Sequence, residues 1–252
     1  MRFDDGSAGD ADYGRIGDGY SRYRRPDPRI EALILRALGD AQSVLNVGAG
    51  AGSYEPTDRR VLAVEPSPEM IRQRPPGAAP VVQASATALP FADGSFDATL
   101  AVLTVHHWPD RARGLAELRR VARDRAVIVT WEADVAPFWL VDEYFPELLT
   151  IDRSIFEPID ALRRMLGPIE VRPVAVPHDC VDGFLGAYWR RPEAYLDPAV
   201  RGAMSTFTKI GDVEPGVERL RRDLADGTLR RRHGELLGRE SLDLGYRLIV
   251  AR

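Results

Sequence analysis

The chain has 252 residues, of which 44% are hydrophobic and 29% are charged, and this composition supports one folded domain with a substantial core. Its formal net charge of −4 argues against a surface that tracks nucleic-acid phosphates. No basic run is long enough for such a surface, and the run at residues 230–233 fits a solvated helix face. Cys180 is the only cysteine, which excludes an intramolecular disulfide, and the lack of a long apolar stretch or of a signal-peptide pattern at residues 1–6 predicts a cytoplasmic protein.

Strand and helix patterns alternate along the first half of the chain. Apolar positions at helical spacing predict a helix over Pro28–Leu38, and Gly39 follows it as a C′ residue. A short helix is predicted after Pro66, with Ser67 as its N-cap and Pro68 at the first helical position. Five strands are predicted over residues 43–47, 60–65, 81–83, 98–103 and 126–131.

The pattern changes after Trp131. A helix predicted at residues 158–166 is stopped by Gly167 and Pro168 and leads to a sixth strand at residues 169–176. A last strand is predicted at residues 244–251. The intervening residues 181–239 are mostly helical and are far more than a hairpin needs, so we expect a helical cap over the sheet edge.

Together these elements predict the α/β class, with a doubly wound, seven-stranded, mostly parallel sheet and a helical cap inserted near the C-terminus. The predicted organisation has five parts along the chain. They are an N-terminal segment with an entry helix (1–39), a ligand-binding core (40–134), a lid segment with a helix and the sixth strand (135–180), the helical cap (181–240) and the final strand of the core (241–252).

The first strand runs directly into a glycine-rich loop, with the sequence V-L-N-V-G-A-G-A-G-S at residues 44–53. Glycine has no Cβ and tolerates positive φ, so Gly48, Gly50 and Gly52 predict a turn that a ligand approaches closely. The second strand ends at Glu65, and an acid there can accept hydrogen bonds from both hydroxyls of a ribose. Two families share this arrangement, the dinucleotide dehydrogenases and the class I S-adenosylmethionine (SAM) methyltransferases.

A third region distinguishes the two families. Residues 84–97 read A-S-A-T-A-L-P-F-A-D-G-S-F-D, and His106 and His107 follow the next predicted strand. This region closely resembles the A-x-x-L-P-F-x-D-x-S-F-D and H-H block of small-molecule SAM methyltransferases of the ubiquinone-biosynthesis type. Residues 117–123, E-L-R-R-V-A-R, resemble the E-x-x-R-V-L helix of that family. The resemblance spans residues 20–131, about half of the chain.

The resemblance implies SAM as the cofactor and S-adenosyl-L-homocysteine (SAH) as the product. The glycine loop would pass the methionine part, Glu65 would hold the ribose, and Met70 would pack near the adenine. Asn46 and Ser85 depart from the family pattern, which usually has an acid at the first position and often an aspartate at the second. The residues expected at the cofactor are Tyr20, Arg24, Arg25, Asn46, Gly48, Ala49, Gly50, Gly52, Glu65, Pro66, Met70, Ser85, Ala86, Leu103 and His106.

The entry segment at residues 20–26, Y-S-R-Y-R-R-P, resembles the family's Y-x-x-x-R-P entry, in which a tyrosine and an arginine cover the cofactor carboxylate. Arg24 fits the count from Tyr20, whereas Arg25 precedes the proline, so both arginines are candidates. A basic segment lying on an acidic surface is the alternative for either arginine alone.

SAM carries an activated methyl group, so the protein must mainly align an acceptor and exclude water, with at most one base. His106 and His107, at a strand end, are the candidate bases, with cofactor packing as the alternative. His178, beside Asp179, is a further candidate, with a polar turn as the alternative. The aromatic residues expected in the acceptor pocket, with core packing as the alternative, are Trp139, Tyr144, Tyr188 and Trp189.

The predicted function is SAM-dependent transfer of a methyl group to an O, N or C nucleophile of a small molecule. Two alternatives stay open: a non-catalytic SAM-binding protein, and an NAD(P)-dependent oxidoreductase that would use the same glycines and Glu65. No metal is expected, because the histidines do not fall at ligand spacing, and adjacent His106 and His107 would point to opposite faces of an extended segment. No nucleic-acid or membrane partner is expected.

Overall fold

The computed structural model describes residues 20–133 and 138–252, and a seven-stranded sheet lies at its centre. The strands are β1 (Ser43–Val47), β2 (Arg60–Val64), β3 (Val81–Val82), β4 (Phe96–Val102), β5 (Ala122–Trp131), β6 (Ile169–Pro173), β7 (Val176–Pro177), β8 (Ser241–Leu242) and β9 (Tyr246–Ala251). The order across the sheet is β3-β2-β1-β4-β5-β9-β6, with β9 antiparallel to both of its neighbours and the remaining pairs parallel. The predicted doubly wound, mostly parallel sheet is therefore confirmed.

Helices connect the strands and flank the sheet. The α-helices are α1 (Tyr20–Tyr23), α2 (Pro28–Leu38), α3 (Pro68–Arg72), α4 (Arg111–Val121), α5 (Pro146–Ile155), α6 (Ile159–Leu166), α7 (Pro198–Gly202), α8 (Glu214–Ala225) and α9 (Thr228–Leu237). Shorter 3₁₀ turns span Val105–His107, Leu185–Tyr188, Pro192–Leu196 and Phe207–Lys209, and Leu140–Tyr144 forms a π-helical turn. None of the helices in the described part of the chain is long and apolar enough to cross a membrane.

Side-chain caps fix where the first helices begin. The carboxylate of Asp27 accepts a hydrogen bond from the backbone N–H of Arg29 at 3.0 Å at the start of α2. The hydroxyl of Ser67 accepts one from Met70 N at 3.4 Å at the start of α3, where Pro68 occupies the first turn. Each side chain satisfies a donor that lacks a partner inside the helix.

The strands depart most from the sequence prediction in two places. β5 begins at Ala122, where pairing with Phe96 of β4 extends the sheet beyond the predicted start at residue 126. The predicted sixth strand is broken into β6 and β7. β6 ends at Pro173, whose ring nitrogen has no hydrogen to donate to a ladder, and β7 pairs with β8 in a separate two-stranded sheet.

The sheet is covered on both faces. On one face, Ile34 and Leu38 of α2 belong to a large apolar cluster that also includes Trp189 and Tyr195 from the helical segment between β7 and β8. On the other face, Leu118 of α4 packs in a second cluster with residues of α6. This coverage keeps the sheet faces dry and leaves the carboxyl ends of β1, β2 and β4 together at one edge.

Acid lability at the start of α2 is a testable consequence of this fold. Asp27 is fully buried, and its carboxylate binds the Arg29 guanidinium and accepts from Val181 N at 3.2 Å. Burial alone would raise its pKa, but the Arg29 and backbone hydrogen bonds together lower the pKa of Asp27 to about 2. Because this value lies below that of the unfolded chain, Asp27 stabilises the fold above pH 4 and loses that effect as the pH falls toward 2, a contribution of about 2 kcal/mol.

We expect Asp27→Asn to lower the free energy of unfolding, measured in urea at pH 7, and the difference from the wild type to shrink at pH 3. Asp58→Asn is the matched control, because Asp58 is largely exposed and pairs only with its neighbour Arg59. An Asp27→Asn penalty that is equal at the two pH values would contradict the assignment.

Candidate functional site

Two adjoining cavities open at the carboxyl ends of the parallel strands, which is where ligands bind in sheets of this type. The first cavity encloses about 860 Å³ of space between protein atoms, open solvent included. Its lining residues are Asn46, Gly48, Ala49, Gly50, Ala51, Ser53, Glu65, Pro66, Met70, Ser85, Ala86, Val102, Leu103, Thr104, His107, Trp108 and Pro109.

The glycine loop forms one wall of the first cavity and is tied to β2. The backbone N–H groups of Gly48 and Ala49 both donate to Val64 O, at 2.8 and 3.0 Å. Gly48 has a φ of +71°, and a Cβ built on it would lie 2.1 Å from Thr104 Oγ1. Only glycine fits at this position, because any side chain would meet both the left-handed backbone and the Thr104 side chain.

Glu65 is buried immediately after β2 and holds the backbone on both sides of the first cavity. Its Oε2 accepts from Gly50 N at 2.8 Å, and its Oε1 accepts from Ser67 N at 2.9 Å. A carboxylate offers about four acceptor positions, so these bonds leave capacity for ligand hydroxyls. Glu65 therefore fixes the shape of the glycine loop, a role that the sequence did not indicate.

Beneath the loop, a buried ion pair joins three segments of the chain. The guanidinium nitrogen Nη2 of Arg74 donates to Glu55 Oε1 at 2.7 Å and to Oε2 at 2.8 Å, and both side chains are less than 10% exposed. Arg74 also donates to Gly50 O at 3.2 Å, and Asn46 Nδ2 donates to Glu55 Oε1 at 3.3 Å. The end of β1 thus binds the carboxylate of this ion pair, and the glycine loop binds its guanidinium.

The second cavity lies beside the first and shares Leu103 and His107 with it. Its walls combine aromatic and apolar side chains with six polar or charged residues. Its lining residues are Arg24, Leu103, His106, His107, Trp131, Asp152, Phe156, Phe184, Leu185, Met204, Ser205, Thr206 and Tyr246. A ligand in the first cavity and a ligand in the second would meet at Leu103 and His107.

The histidine pair lies in a 3₁₀ turn, which changes the expected geometry. The rings of His106 and His107 contact each other with centroids 3.8 Å apart, instead of pointing to opposite faces as an extended segment would require. The His106 ring stacks on Phe156 at 4.0 Å and 28°. His106 lines only the second of the two cavities, whereas His107 lines both.

Two polar groups in the second cavity are held by their neighbours. Asp152 on α5 is buried and accepts from Thr206 Oγ1 at 2.8 Å. The hydroxyl of Tyr246 accepts from Gly186 N at 3.1 Å. Burial is the largest cause that raises the pKa of Tyr246 far above its usual value, so the phenol keeps its proton and can donate it. The cavity therefore offers both an acceptor and a donor.

Arg24 lines the second cavity and not the first. Its Nε donates to Asp182 Oδ1 at 2.6 Å, and Tyr54 OH donates to Asp182 Oδ2 at 3.0 Å. Asp182 is fully buried. Burial and then the charge of Asp182 raise the pKa of Tyr54 well above its usual value. Asp182 thereby joins the entry segment, the chain after the glycine loop and the segment after β7.

Most of the predicted cofactor residues lie together. Those that line the first cavity are Asn46, Gly48, Ala49, Gly50, Glu65, Pro66, Met70, Ser85, Ala86 and Leu103. Gly52 lies outside it, and a Cβ built on this residue would point toward Glu55 and Arg74. Arg25 is exposed and lines neither cavity, since only Arg24 turns inward toward Asp182. The side chain of Tyr20 lies outside the described residues.

The aromatic residues predicted for the acceptor pocket lie elsewhere. Trp139 Nε1 donates to Trp189 O at 3.2 Å, and Trp189 Nε1 donates to Val176 O at 3.1 Å, so both indoles are core groups. Tyr144 OH donates to Asp223 Oδ2 at 2.8 Å. Tyr188 lies under the guanidinium of Arg191, 4.8 Å from its ring centroid. None of these four residues lines either cavity, and the second cavity is lined by other aromatics.

His178 does not face either cavity. Its Nε2 lies 3.2 Å from Glu240 Oε2, a highly exposed carboxylate at the end of the helical segment. Its neighbour Asp179 pairs with Arg29 at 2.6 Å instead of orienting the imidazole. These contacts fit the interpretation of His178 as part of a polar turn, and they leave its side chain outside both cavities.

Sequence reasoning missed several lining residues. Thr104 and Trp108 follow β4, so the rule that ligands meet strand carboxyl ends would have found them. Asp152, Phe156 and Tyr246 come from segments without a motif, and only tertiary packing brings them to the second cavity. Among residues 20–133 and 138–252, no group of three or more histidine, cysteine or acidic side chains could hold a metal ion.

Comparison with known proteins agrees with this site. A family model described as a methyltransferase domain matches residues 45–130. A solved structure from Anabaena variabilis, described as a methyltransferase of an antibiotic biosynthesis pathway, superposes with a TM-score of 0.85 at 33% identity, covering 92% of this chain and 100% of that one. The chain therefore belongs to the class I SAM-dependent methyltransferases, whose cofactor is SAM.

Curated relatives are similar over shorter stretches. The uncharacterized methyltransferase YcgJ of Bacillus subtilis is 30% identical over 51% of this chain and 50% of its own length. The 2-methyl-6-phytyl-1,4-hydroquinone methyltransferase of Synechocystis is 26% identical over 70% of this chain and 63% of its own length. The chain thus spans about half the length of the curated relatives it matches.

Proposed function

We propose that this protein transfers a methyl group from SAM to an O, N or C nucleophile of a small molecule. The observation that carries the proposal is the pair of adjoining cavities, which share Leu103 and His107. We assign the cofactor to the first cavity and the methyl acceptor to the second. A SAM-binding protein without catalysis would have no need of a second, polar-ended cavity at that junction.

The residues of the first cavity suit SAM. Glu65 is a buried carboxylate that suits ribose hydroxyls, and the glycine loop presents backbone that a Cβ at Gly48 would block. Met70 and Pro66 provide an apolar surface for the adenine. Asn46 supplies an amide oxygen at the end of β1, where the ammonium of the methionine part would lie.

The residues of the second cavity suit a flat, largely apolar acceptor that carries a polar group. Trp131, Phe156 and Phe184 provide aromatic walls, while Asp152 can accept and Tyr246 can donate a hydrogen bond. These residues replace Trp139, Tyr144, Tyr188 and Trp189 in our assignment of the acceptor pocket.

When bound, SAM supplies a methyl group that is already activated by its sulfonium. The work of the protein is then to align the acceptor and to keep water out. Leu103 and His107 form the passage between the cavities and exclude water from it. His106, stacked on Phe156 in the acceptor cavity, accepts the proton that a hydroxyl or amine acceptor releases.

This proposal also assigns the parts of the chain. Residues 40–134 and the final strand at 241–252 form the SAM-binding core. The segment 135–180 and the helical residues 181–240 contribute side chains to the acceptor cavity. Residues 1–39 contribute Arg24 to it.

Calorimetric titration of the protein with SAH, NAD and NADP tests the cofactor. We expect SAH to bind and the dinucleotides not to bind. Binding of NAD or NADP in place of SAH would make the protein an oxidoreductase, and binding of none of the three would overturn the proposal.

Separate alanine variants of the histidines test the catalytic assignment. We expect His106→Ala to lower turnover by about a hundredfold while SAH affinity is retained, since one general base contributes about 10² to 10⁴ in rate. We expect His107→Ala to weaken SAH binding, because His107 lines the first cavity. Turnover is measured as SAH release with a panel of phenols, amines and carbon nucleophiles.

His233→Ala is the control, because His233 pairs with Glu143 and lines neither cavity. Unchanged turnover in His106→Ala would remove the base role, and transfer would then rest on alignment alone.

A further inference from the structure

The amide of Asn46 is oriented by a buried carboxylate. Asn46 is 2% exposed at the end of β1, and its side chain lies between the first cavity and Glu55. Nδ2 donates to Glu55 Oε1 at 3.3 Å. An ionised carboxylate can only accept hydrogen bonds, so the amide must turn its NH₂ group toward Glu55. The oxygen Oδ1 is thereby turned away from Glu55.

Glu55 is itself held in place. Arg74 Nη2 donates to both carboxylate oxygens, and Ala79 N donates to Oε2 at 3.0 Å. Arg74 in turn donates to Ala79 O at 2.8 Å. Both carboxylate oxygens of Glu55 thus accept hydrogen bonds from the guanidinium, and the carboxylate acts as an acceptor in this network.

The same pair holds the glycine loop. Both backbone polar groups of Gly50 are bound, because its N–H donates to Glu65 and its carbonyl accepts from Arg74. Glu55 and Arg74 thus act on two groups that line the first cavity, the Gly50 backbone and the Asn46 amide. Neither Glu55 nor Arg74 is among the lining residues of that cavity.

We propose that Glu55 and Arg74 are positioning residues for the cofactor, which turn Asn46 Oδ1 toward the first cavity so that it accepts a hydrogen bond from the ammonium group of SAM. This inference rests on the proposed function, because it requires SAM in the first cavity. The Glu55 and Arg74 charges neutralise each other, so Asn46 provides a directed hydrogen bond and no net charge.

The test compares SAH with 5′-deoxy-5′-methylthioadenosine, which has the same nucleoside and thioether but lacks the amino acid part. Both are titrated calorimetrically into the wild type, Asn46→Ala, Glu55→Gln and the double variant. We expect Asn46→Ala to weaken SAH binding about tenfold, the usual size for a hydrogen bond to a charged group. We expect Glu55→Gln to weaken it several-fold, because a glutamine also donates and no longer fixes the amide.

Two further features distinguish positioning from support of the fold. Binding of the methylthio compound is expected to stay within about twofold in every variant, and the double variant is expected to be no weaker for SAH than Asn46→Ala. Glu69→Gln is the matched control, because Glu69 is a nearby carboxylate on α3 that contacts Arg72 and lines neither cavity.

Asn46 is the only asparagine in the chain, which permits a direct spectroscopic reading. Protein labelled with [¹⁵N]asparagine should show a single side-chain NH₂ signal. We expect this signal to shift in Glu55→Gln and on addition of SAH, and to stay in place on addition of the methylthio compound.

The outcomes are distinguishable. If the wild type binds neither ligand, the proposed function fails. If the wild type binds both, but Glu55→Gln weakens both equally or the two losses add, Glu55 only supports the loop and the inference is overturned.

Discussion

Replacing Gly48 with alanine is expected to abolish measurable SAH binding. The new Cβ would lie 2.1 Å from Thr104 Oγ1 and 3.0 Å from Thr104 Cβ, at a φ of +71°. The left-handed backbone costs about 1–2 kcal/mol for a residue with a side chain, and the clash costs about 1–3 kcal/mol more. The loop must therefore move, and since Gly48 N donates to Val64 O, the wall of the first cavity moves with it. We expect a loss of about a hundredfold or more in calorimetric affinity.

Gly77→Ala separates backbone strain from the clash. Gly77 also has a positive φ, +89°, but no heavy atom lies within 4 Å of its built Cβ. This control should cost stability without affecting SAH affinity. In the Gly48→Ala background, Thr104→Ala should restore part of the binding, because it removes the nearest atom. Wild-type affinity in Gly48→Ala would show that the loop does not form the cofactor wall.

Asp182→Asn is expected to destabilise the fold strongly. Asp182 is fully buried and binds Arg24 at 2.6 Å and Tyr54 at 3.0 Å. The asparagine keeps the shape but removes the charge that meets the buried guanidinium. Loss of one partner of a buried pair typically costs about 3–5 kcal/mol, so we expect the Tm to fall by about 10 °C. Differential scanning calorimetry measures the change.

A surface pair at the same junction provides the control. Arg29 and Asp179 are also 2.6 Å apart, but both side chains are at least half exposed. Asp179→Asn should therefore change the free energy of unfolding by less than about 1 kcal/mol. If the two aspartate variants melt at the same temperature, burial does not set the strength of the Asp182 interaction.

The sequence carried enough information for the first half of the fold. The strand-to-loop transition at Gly48, the acid at Glu65 and the strand end at Leu103 all obey local rules of propensity and position. These rules apply to segments that fold against immediate neighbours in the sheet. For that reason, most of the residues predicted at the cofactor line the first cavity together.

The acceptor cavity could not be found in this way. Asp152, Thr206 and Tyr246 are brought together from three distant segments, and no spacing in the sequence relates them. The aromatics that were predicted, such as Trp139 and Trp189, differ from Trp131 only in where the chain buries them. Glu55 escaped notice for a related reason, because its partner Arg74 is fixed by tertiary packing.

Leu103 follows β4 directly in a left-handed conformation, with a φ of +49°, and its N–H donates to Val129 O at 2.8 Å. A glycine would adopt this conformation with about 1–2 kcal/mol less strain. The residue lines both cavities, and its side chain packs against the large apolar cluster. A glycine here would relieve the backbone strain but lose that apolar packing, so the strain persists because the side chain is needed where the two cavities meet.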